Sequence, residues 1–134
     1  MKKIAIFTIT LFVSCLIHAQ EKKAVDNKLK TITVTEQKWD KGTAGKAMTE
    51  SITRYDQKGN ILEEIKYKQG KVDTHFTYKY DANNNKVQET ELDASGKKIR
   101  ITTYVYQNNL RSERLVFDGN NQPVSKKTYK YETF

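Results

Sequence analysis

The sequence contains very little cysteine, histidine and proline, and these shortages exclude several kinds of site. Among its 134 residues there are one cysteine, two histidines and one proline. Cys15 alone cannot form an intramolecular disulfide. His75 is the only histidine after residue 20, so no second histidine or cysteine completes a zinc site there. Its position beside Phe76 in a predicted strand, on the other face, makes it a surface residue. Pro123 precedes the last predicted strand, where a missing N–H is tolerated.

The sequence also lacks an apolar run of membrane-spanning length, although its beginning is organised like a secretory signal peptide. Two lysines are followed by the uncharged, mostly apolar residues 4–17, and Ala19 precedes the expected cleavage site. The uncharged run is shorter than the roughly 20 residues that a membrane-spanning helix needs. We therefore predict an exported protein, periplasmic, surface-bound or secreted, with three parts: a signal peptide, residues 1–19; a flexible lead-in, residues 20–28; and a β-repeat domain, residues 29–134.

Lipid anchoring at Cys15 is the alternative to ordinary cleavage, since the segment FVSC that this cysteine ends resembles a lipoprotein box. A leucine is more usual at the position of Phe12, and Leu16 and Ile17 continue the apolar run beyond the cysteine. We therefore favour cleavage after Ala19 over lipid anchoring at Cys15. Cleavage there leaves a mature chain without a thiol nucleophile.

The chain carries an excess of positive charge. Its formal net charge is +8, and removal of the two lysines in the predicted signal peptide lowers this to +6. A positive surface favours anionic partners. Lysine and glutamate alternate along most segments, however, without the like-charge blocks of a nucleic-acid-binding arm. The composition therefore predicts a mixed-charge, solvated surface and no nucleic-acid partner.

The most informative feature is an internal repeat of about 25 residues. Four tyrosines follow one another at spacings of 25, 26 and 25 residues: Tyr55, Tyr80, Tyr106 and Tyr131. A second series of apolar residues lies midway between them at spacings of 25 and 25: Tyr67, Leu92 and Phe117. Each period is therefore interpreted as a pair of strands, and each strand ends in an aromatic residue or leucine that precedes a turn.

Clusters of Gly, Asn and Asp separate the strands of this repeat. Glycine adopts positive φ without steric cost, and Asn and Asp tolerate it while bonding to their own backbone. The intervening segments are rich in Thr, Tyr, Ile, Val and Phe, which favour a pleated surface. Short turns of this kind join antiparallel neighbours. The pattern predicts eight strands at residues 29–39, 47–55, 61–67, 72–80, 86–92, 98–106, 110–117 and 124–131.

The sequence shows where the strands end more clearly than it shows which residues share a face of the sheet. In residues 72–80, Phe76 and Tyr78 alternate with polar residues, as is typical of a half-buried strand. With 37% hydrophobic residues the chain has little to fill a deep two-layer core. We predict an all-β fold, an antiparallel meander of about eight strands that forms an open twisted single sheet, with a narrow barrel lined by aromatic residues as the alternative. Charged residues occur on both faces of most strands, so no membrane span is expected.

The turn and aromatic units resemble known repeat families. Residues 55–61 (YDQKGNI) are similar to the YD-type, Rhs-like repeat, and residues 80–86 (YDANNNK) retain its Tyr-Asp with Asn-Asn in place of Gly-Asn. Residues 67–71 (YKQGK) resemble the MORN-variant repeat. Taken together, the resemblance spans about residues 53–131. It implies a secreted β-structure of a kind that forms shells or binds carbohydrate. The Ala-Gln cleavage region and the Asn- and Lys-rich composition resemble exported Bacteroidetes proteins.

The sequence contains no motif that points to catalysis, a metal or a cofactor. Glu89 and Glu91 share one face of a predicted strand and face lysines of neighbouring strands, which favours salt bridges over acid–base chemistry. Residues 81–85 begin like a calcium loop, but Lys86 stands where glycine is required and Leu92 replaces the closing carboxylate. No glycine-rich phosphate loop occurs. We predict a protein that is not an enzyme and needs no cofactor.

Tyrosine is the residue type that offers a binding site. Its recurrence at equivalent repeat positions predicts a stripe of rings with polar tips, which either forms the core of a thin sheet or remains partly exposed. An exposed stripe would stack on sugar rings or take up an extended peptide. The candidate ligand-binding residues are Tyr78, Tyr80, Tyr104, Tyr106, Tyr129 and Tyr131.

Two binding functions follow from these features. The first is a non-catalytic exported module that binds glycan or cell-envelope polymer through the tyrosine-rich face. The alternative is a protein-interaction or assembly protein of the periplasm or cell surface. In that alternative, the unpaired edges of the sheet accept a partner's strand.

Overall fold

A computed structural model of the chain describes residues 25–134. The predicted signal peptide, Cys15 and residues 20–24 of the predicted lead-in lie outside the described residues. The strands are β1 (Thr31–Glu36), β2 (Trp39–Asp40), β3 (Thr43–Ala44), β4 (Met48–Tyr55), β5 (Ile61–Lys68), β6 (Lys71–Tyr80), β7 (Lys86–Leu92), β8 (Lys98–Gln107), β9 (Leu110–Asp118) and β10 (Pro123–Thr128). No helix in the described range has the length and apolarity needed to cross a membrane.

Eight of these strands form one antiparallel sheet in the order β1-β4-β5-β6-β7-β8-β9-β10. From β4 to β10, each strand pairs with the next strand along the chain, and β1 pairs with β4. Between β1 and β4 the chain forms a small separate hairpin of β2 and β3. The sheet does not close, because β1 and β10 occupy its two edges. This confirms the predicted eight-strand meander as an open sheet; the alternative of a narrow barrel is wrong.

The small hairpin is the main departure from the predicted strands. Residues 29–39 were expected to form one strand, but β1 ends at Glu36. The chain then turns through Lys41 and Gly42, both at positive φ (46° and 83°). The N–H of Gly45 donates to the carbonyl oxygen of Lys38 at 2.7 Å, which closes the hairpin. At the other end of the sheet, β10 ends at Thr128 rather than at residue 131.

Four five-residue turns share one set of hydrogen bonds. In each, the Oδ1 atom of the leading aspartate accepts from the backbone N–H groups two and four residues later, at 2.8–2.9 Å. The fourth residue of every turn has positive φ: Gly59 (83°), Asn84 (63°), Gly96 (85°) and Asn121 (63°). Glycine and asparagine are the residues that adopt this conformation most readily. The leading residues are Asp56, Asp81, Asp93 and Asp118.

The remaining two turns of the meander are two residues long. Gln69 and Gly70 join β5 to β6 with φ of 52° and 75°, and Asn108 and Asn109 join β8 to β9 with φ of 51° and 61°. Positive φ at both central residues is the type I′ geometry, whose twist matches that of the flanking strands. The sequence clusters that predicted turns therefore end the strands as expected.

The sheet is a single layer, and only its centre is buried. Thr90 (3% exposed) lies opposite Ile101 (9%) on one face, and Thr102 (2%) lies opposite Val116 (7%) on the other. Tyr55 (5%) is the remaining buried side chain of the hydrophobic core. Most strand residues beyond this centre are only half-buried. Because no second layer covers the sheet within residues 25–134, both of its faces are open to solvent.

Candidate functional site

The six predicted tyrosines lie on one face of the sheet, here called the tyrosine face. Residues directly opposite each other in antiparallel strands point to the same face. Tyr104 of β8 lies opposite Arg114 of β9, and Arg114 lies opposite Lys127 of β10, two residues before Tyr129. Phe76 and Tyr78 of β6 lie opposite the glutamates of β7 on this face, with ring centroids 6.3 Å apart. The tyrosines occur in pairs, Tyr78 and Tyr80, Tyr104 and Tyr106, Tyr129 and Tyr131.

The tyrosines do not form an uninterrupted stripe, because basic side chains lie between their rings. The Nζ atom of Lys86 is 4.9 Å from the ring centroid of Tyr78 and 5.6 Å from that of Tyr104. The Cζ atom of Arg111 is 4.2 Å from the centroid of Tyr104 and 5.9 Å from that of Tyr106. These distances are within the range of cation–π attraction. Across the strands, aromatic and cationic side chains therefore alternate.

β-bulges bring Lys86 and Arg111 onto this face. The register of β6 and β7 shifts after Lys79 pairs with Gln88, so that Tyr80 lies opposite Lys86. The same shift between β8 and β9 places Arg111 opposite Tyr106. An extra residue in one strand reverses the alternation of its side chains. Sequence analysis missed both residues, although their spacing of 25 equals the repeat period and could have identified them.

Three of the tyrosine hydroxyls hold neighbouring strands together at one end of the sheet. Tyr80 donates to the carbonyl oxygen of Ile61 at 2.9 Å, and Tyr106 donates to that of Lys86 at 3.0 Å. Tyr131, 53% exposed, donates to the carbonyl oxygen of Arg111 at 2.7 Å. Each bond joins a tyrosine at the end of a strand, or in the case of Tyr131 three residues beyond it, to the bulged start of the strand before. The hydroxyls of these three tyrosines therefore serve the fold.

The other three tyrosines make different contacts. Burial, together with Glu64 and Glu89, raises the pKa of the Tyr78 phenol, so this side chain is neutral over the physiological range. Partial burial opposes the charge of Arg111, but Tyr106 and Tyr129 raise the pKa of its guanidinium group. Arg111 thus lies among three tyrosines. The rings of Tyr78, Tyr104 and Tyr129 are half-buried and keep part of their surface open.

Glutamates neutralise several of the basic residues of the tyrosine face. Lys86 Nζ is 2.8 Å from the carboxylate of Glu89, and Arg100 of β8 is 3.4 Å from Glu91 of β7. Glu91 therefore pairs with a neighbouring strand as predicted, but with an arginine rather than a lysine, whereas Glu89 pairs with a lysine of its own strand. Both carboxylates therefore have basic partners on the tyrosine face.

His75 lies on the opposite face, where its side chain is partly covered by polar neighbours. Its side chain is 16% exposed, and Nε2 is 2.7 Å from Oε1 of Glu63. The other oxygen of Glu63 pairs with Arg54. Burial lowers the pKa of His75, and the positive charge of Arg54 lowers it further. Neutral His75 donates its Nε2–H to Glu63. Glu63 of β5 therefore links Arg54 of β4 to His75 of β6 through polar contacts.

A shallow depression opens beside the first tyrosine pair. It has a volume of about 600 Å³, and its lining includes Leu62, Tyr78, Tyr80, Asp56 and Asp81. The lining combines aromatic and aliphatic side chains with the polar turns that follow β4 and β6. Within residues 25–134, no three His, Cys, Asp or Glu side chains are grouped so that they could hold a metal ion. The side chains of the tyrosine face offer stacking, hydrogen bonding and charge attraction.

Comparison with known proteins identifies no family for this chain. No family model and no curated protein matches it. Among solved structures the chain is similar to TarM, known from a crystal structure, with 14% identity and a TM-score of 0.35. The match covers 88% of this chain but 24% of TarM, and a likeness this weak carries no argument about function. The resemblance to YD-type and MORN-variant repeats stays a prediction.

Proposed function

We propose that the chain is a non-catalytic exported module that binds glycan or cell-envelope polymer through the tyrosine face. The observation that carries the proposal is the alternation of half-exposed tyrosine rings with Lys86 and Arg111 on an uncovered sheet. Aromatic rings with polar tips offer an apolar surface beside hydrogen-bonding groups. Sugars present the same combination, since their C–H faces stack on rings and their hydroxyls bond to polar side chains.

The spacing of the rings suits an extended polymer. Tyr78 lies on β6, Tyr104 on β8, and Tyr129 directly follows β10, so successive rings are two strands apart. The register places Tyr78 level with Thr102 and Tyr104 level with Lys127, so each ring is displaced by two residues along the strands from the ring before it. With strands about 4.7–4.9 Å apart and a rise of about 3.4 Å per residue, the rings recur roughly 12 Å apart along a diagonal of the sheet. This distance is on the scale of two sugar units in an extended chain, so a polymer lying along that diagonal would meet a ring at regular intervals.

The alternative function, protein interaction or assembly, rests on the edges of the sheet. All six residues of β10 are exposed, and its outer edge pairs with no strand among residues 25–134. An open edge of this kind can accept a partner's strand. β10 also carries Pro123, Lys126 and Lys127, residue types that discourage edge pairing. The tyrosine face is therefore the better-supported site.

A binding screen tests the proposal directly. The purified protein is offered sedimented peptidoglycan and an array of glycans, and saturable binding is the expected result. Tyr104→Ala should weaken binding roughly tenfold, taking as the scale for a sugar the stacking of a nucleic-acid base on one aromatic ring, on the order of 1–3 kcal/mol. Tyr104→Phe, which keeps the ring, should bind nearly as well as the unchanged protein.

Val105→Ala is the matched control, because Val105 is exposed and its side chain points to the opposite face of the same strand. Circular dichroism and urea unfolding establish that each variant is folded. Failure of every glycan and of peptidoglycan to bind folded protein would overturn the proposal. A concentration-dependent mass without glycan binding would instead favour the assembly function.

A further inference from the structure

One part of the tyrosine face carries positive charge that the described chain does not neutralise. Arg114 of β9 and Lys127 of β10 lie directly opposite each other. Like charges at directly opposite positions destabilise an antiparallel pair. Neither side chain forms a salt bridge with any residue of the described range, 25–134. The fold therefore retains a repulsive pair, and a glutamate in place of either Arg114 or Lys127 would remove the repulsion.

Arg111 adds a third positive charge to this region. Its guanidinium group lies over the ring of Tyr104, which is itself the cross-strand neighbour of Arg114. The terminal Nη2 atom is 3.5 Å from the hydroxyl oxygen of Tyr106, a long contact. The Nε atom is buried and makes no hydrogen bond to residues 25–134. Its contacts with Tyr104 and Tyr106 hold the guanidinium group on the tyrosine face.

On the rest of the tyrosine face, glutamates pair with basic residues of the strands. Lys86 and Arg100 pair with glutamates on the same face, as described above. Lys66 of β5 is likewise 3.4 Å from Glu64. The glutamate of β9, Glu113, pairs with Lys126 on the opposite face instead. Next to Tyr104 and Tyr129, by contrast, the basic side chains that β9 and β10 place on the tyrosine face form no salt bridge within residues 25–134.

We propose that Arg111, Arg114 and Lys127 form a subsite for the carboxylate groups of an acidic polysaccharide whose sugar rings stack on the adjacent tyrosines. The inference rests on the proposed function and specifies the class of glycan. A carboxylate here would relieve the repulsion between Arg114 and Lys127 and accept charge-assisted hydrogen bonds from the guanidinium groups. Neutral parts of the polymer would extend towards Tyr78, where the basic residues are already paired.

A nucleic acid fits this distribution of charge less well. Single-stranded nucleic acid carries a phosphate on every nucleotide and needs a continuous positive track. From β5 to β7 the tyrosine face presents Glu64, Glu89 and Glu91, which would repel such a backbone. A polysaccharide with acidic groups only at intervals avoids that repulsion. The distribution of charge on the tyrosine face therefore favours an acidic glycan over a nucleic acid.

The test compares polygalacturonate with the same polymer after complete methyl esterification, which removes the negative charge and keeps the sugar backbone. The protein should bind the acidic form at least tenfold more tightly, and the preference should decline with added salt. Arg114→Gln and Lys127→Gln should each weaken binding of the acidic polymer roughly tenfold, as expected for loss of a bond to a charged group. The ester should bind both variants as it binds the unchanged protein.

Lys79→Gln is the matched control, since it removes one positive charge from the opposite face without breaking a salt bridge. Equal binding of polygalacturonate and its ester would overturn the subsite while leaving the proposed glycan function standing. Failure of both polymers, of peptidoglycan and of the glycan array would overturn the proposed function itself. Tighter binding of an oligothymidylate than of polygalacturonate would contradict the inference in favour of nucleic acid.

Discussion

The hydroxyl of Tyr106 donates a hydrogen bond to the backbone carbonyl oxygen of Lys86, 3.0 Å away and 20 residues earlier in the chain. Tyr80 and Ile61, and Tyr131 and Arg111, form the same bond in the neighbouring hairpins. Lys86 and Arg111 each occupy a bulge, and their side chains lie among the tyrosine rings. The bond therefore fixes the backbone that presents each cation to the tyrosine face.

Tyr106→Phe should reduce the free energy of unfolding by about 1 kcal/mol, because it removes this hydrogen bond and keeps the ring. Tyr104→Phe is the matched control: its hydroxyl makes no hydrogen bond within residues 25–134, so little change is expected. Urea unfolding of both variants measures the difference. Equal stability of the two variants would mean that the hydroxyl bond does not support the fold.

The aspartate-led turns should make the fold sensitive to acid. The backbone N–H of Asn85 lowers the pKa of Asp81, and the hydroxyl of Ser95 lowers that of Asp93, each aided by further hydrogen bonds. A carboxyl with a lowered folded pKa stabilises the protein above its unfolded pKa and loses that contribution as pH falls through the folded value. We expect the contribution of these turns to stability to be constant above about pH 5 and to fall below about pH 4.

Asp93→Asn isolates this effect, since the amide oxygen can still accept hydrogen bonds but has no charge to lose. Urea unfolding across the acid range should show a shallower decline for this variant than for the unchanged protein. Identical pH profiles would show that the ionised Asp93 does not contribute to acid sensitivity.

The positive φ of Gly96 should limit which residues this turn accepts. A Cβ atom at Gly96 would meet no other atom within 4 Å, so the cost of substitution comes from its φ of 85° rather than from a clash. Gly96→Ala should therefore destabilise the protein by about 1–2 kcal/mol. Gly96→Asn should cost less, because Asn84 and Asn121 already adopt this conformation in the equivalent turns. Thermal unfolding that ranks alanine at or above asparagine would contradict this account.

Repulsion between Arg114 and Lys127 should be measurable in the free protein. Either substitution to glutamine should raise stability by roughly 0.2–1 kcal/mol in low salt, and the double variant should gain less than the sum of the two. Added salt should reduce the gain, because exposed charges are screened. A double-mutant cycle in urea, at low and high salt, provides the measurement. Additive effects at both salt concentrations would show that the two charges do not interact.

The turns and most strand boundaries could be predicted from sequence because they depend on local chemistry. Asp81, followed by Ala82 and three asparagines, is typical of a turn, and β7 begins and ends where the pattern placed it. Residues whose orientation depends on a bulge could not be predicted in this way. Lys86 and Arg111 turn to the tyrosine face because the pairing register slips by one residue, which requires both strands to be known.

The contacts of His75 and the β2–β3 hairpin were missed for a related reason. The burial of His75 depends on Glu63 and Arg54, which come from two other strands. The hairpin turns at Lys41 and Gly42, and although glycine is typical of turns, lysine at positive φ is not. In both cases the deciding contact or conformation is absent from the local sequence pattern.

A side-chain-resolved NMR titration tests the central claim most directly, because the single-layer sheet exposes two faces with different probes. The protein, labelled in its tyrosine rings and isoleucine methyl groups, is titrated separately with soluble peptidoglycan fragments and with oligogalacturonate. The account predicts saturable shifts of the Tyr104 and Tyr129 ring signals, while the methyl signals of Ile65 and Ile101 on the opposite face stay unchanged. Unchanged tyrosine signals with both ligands, or shifts confined to the isoleucines, would contradict it.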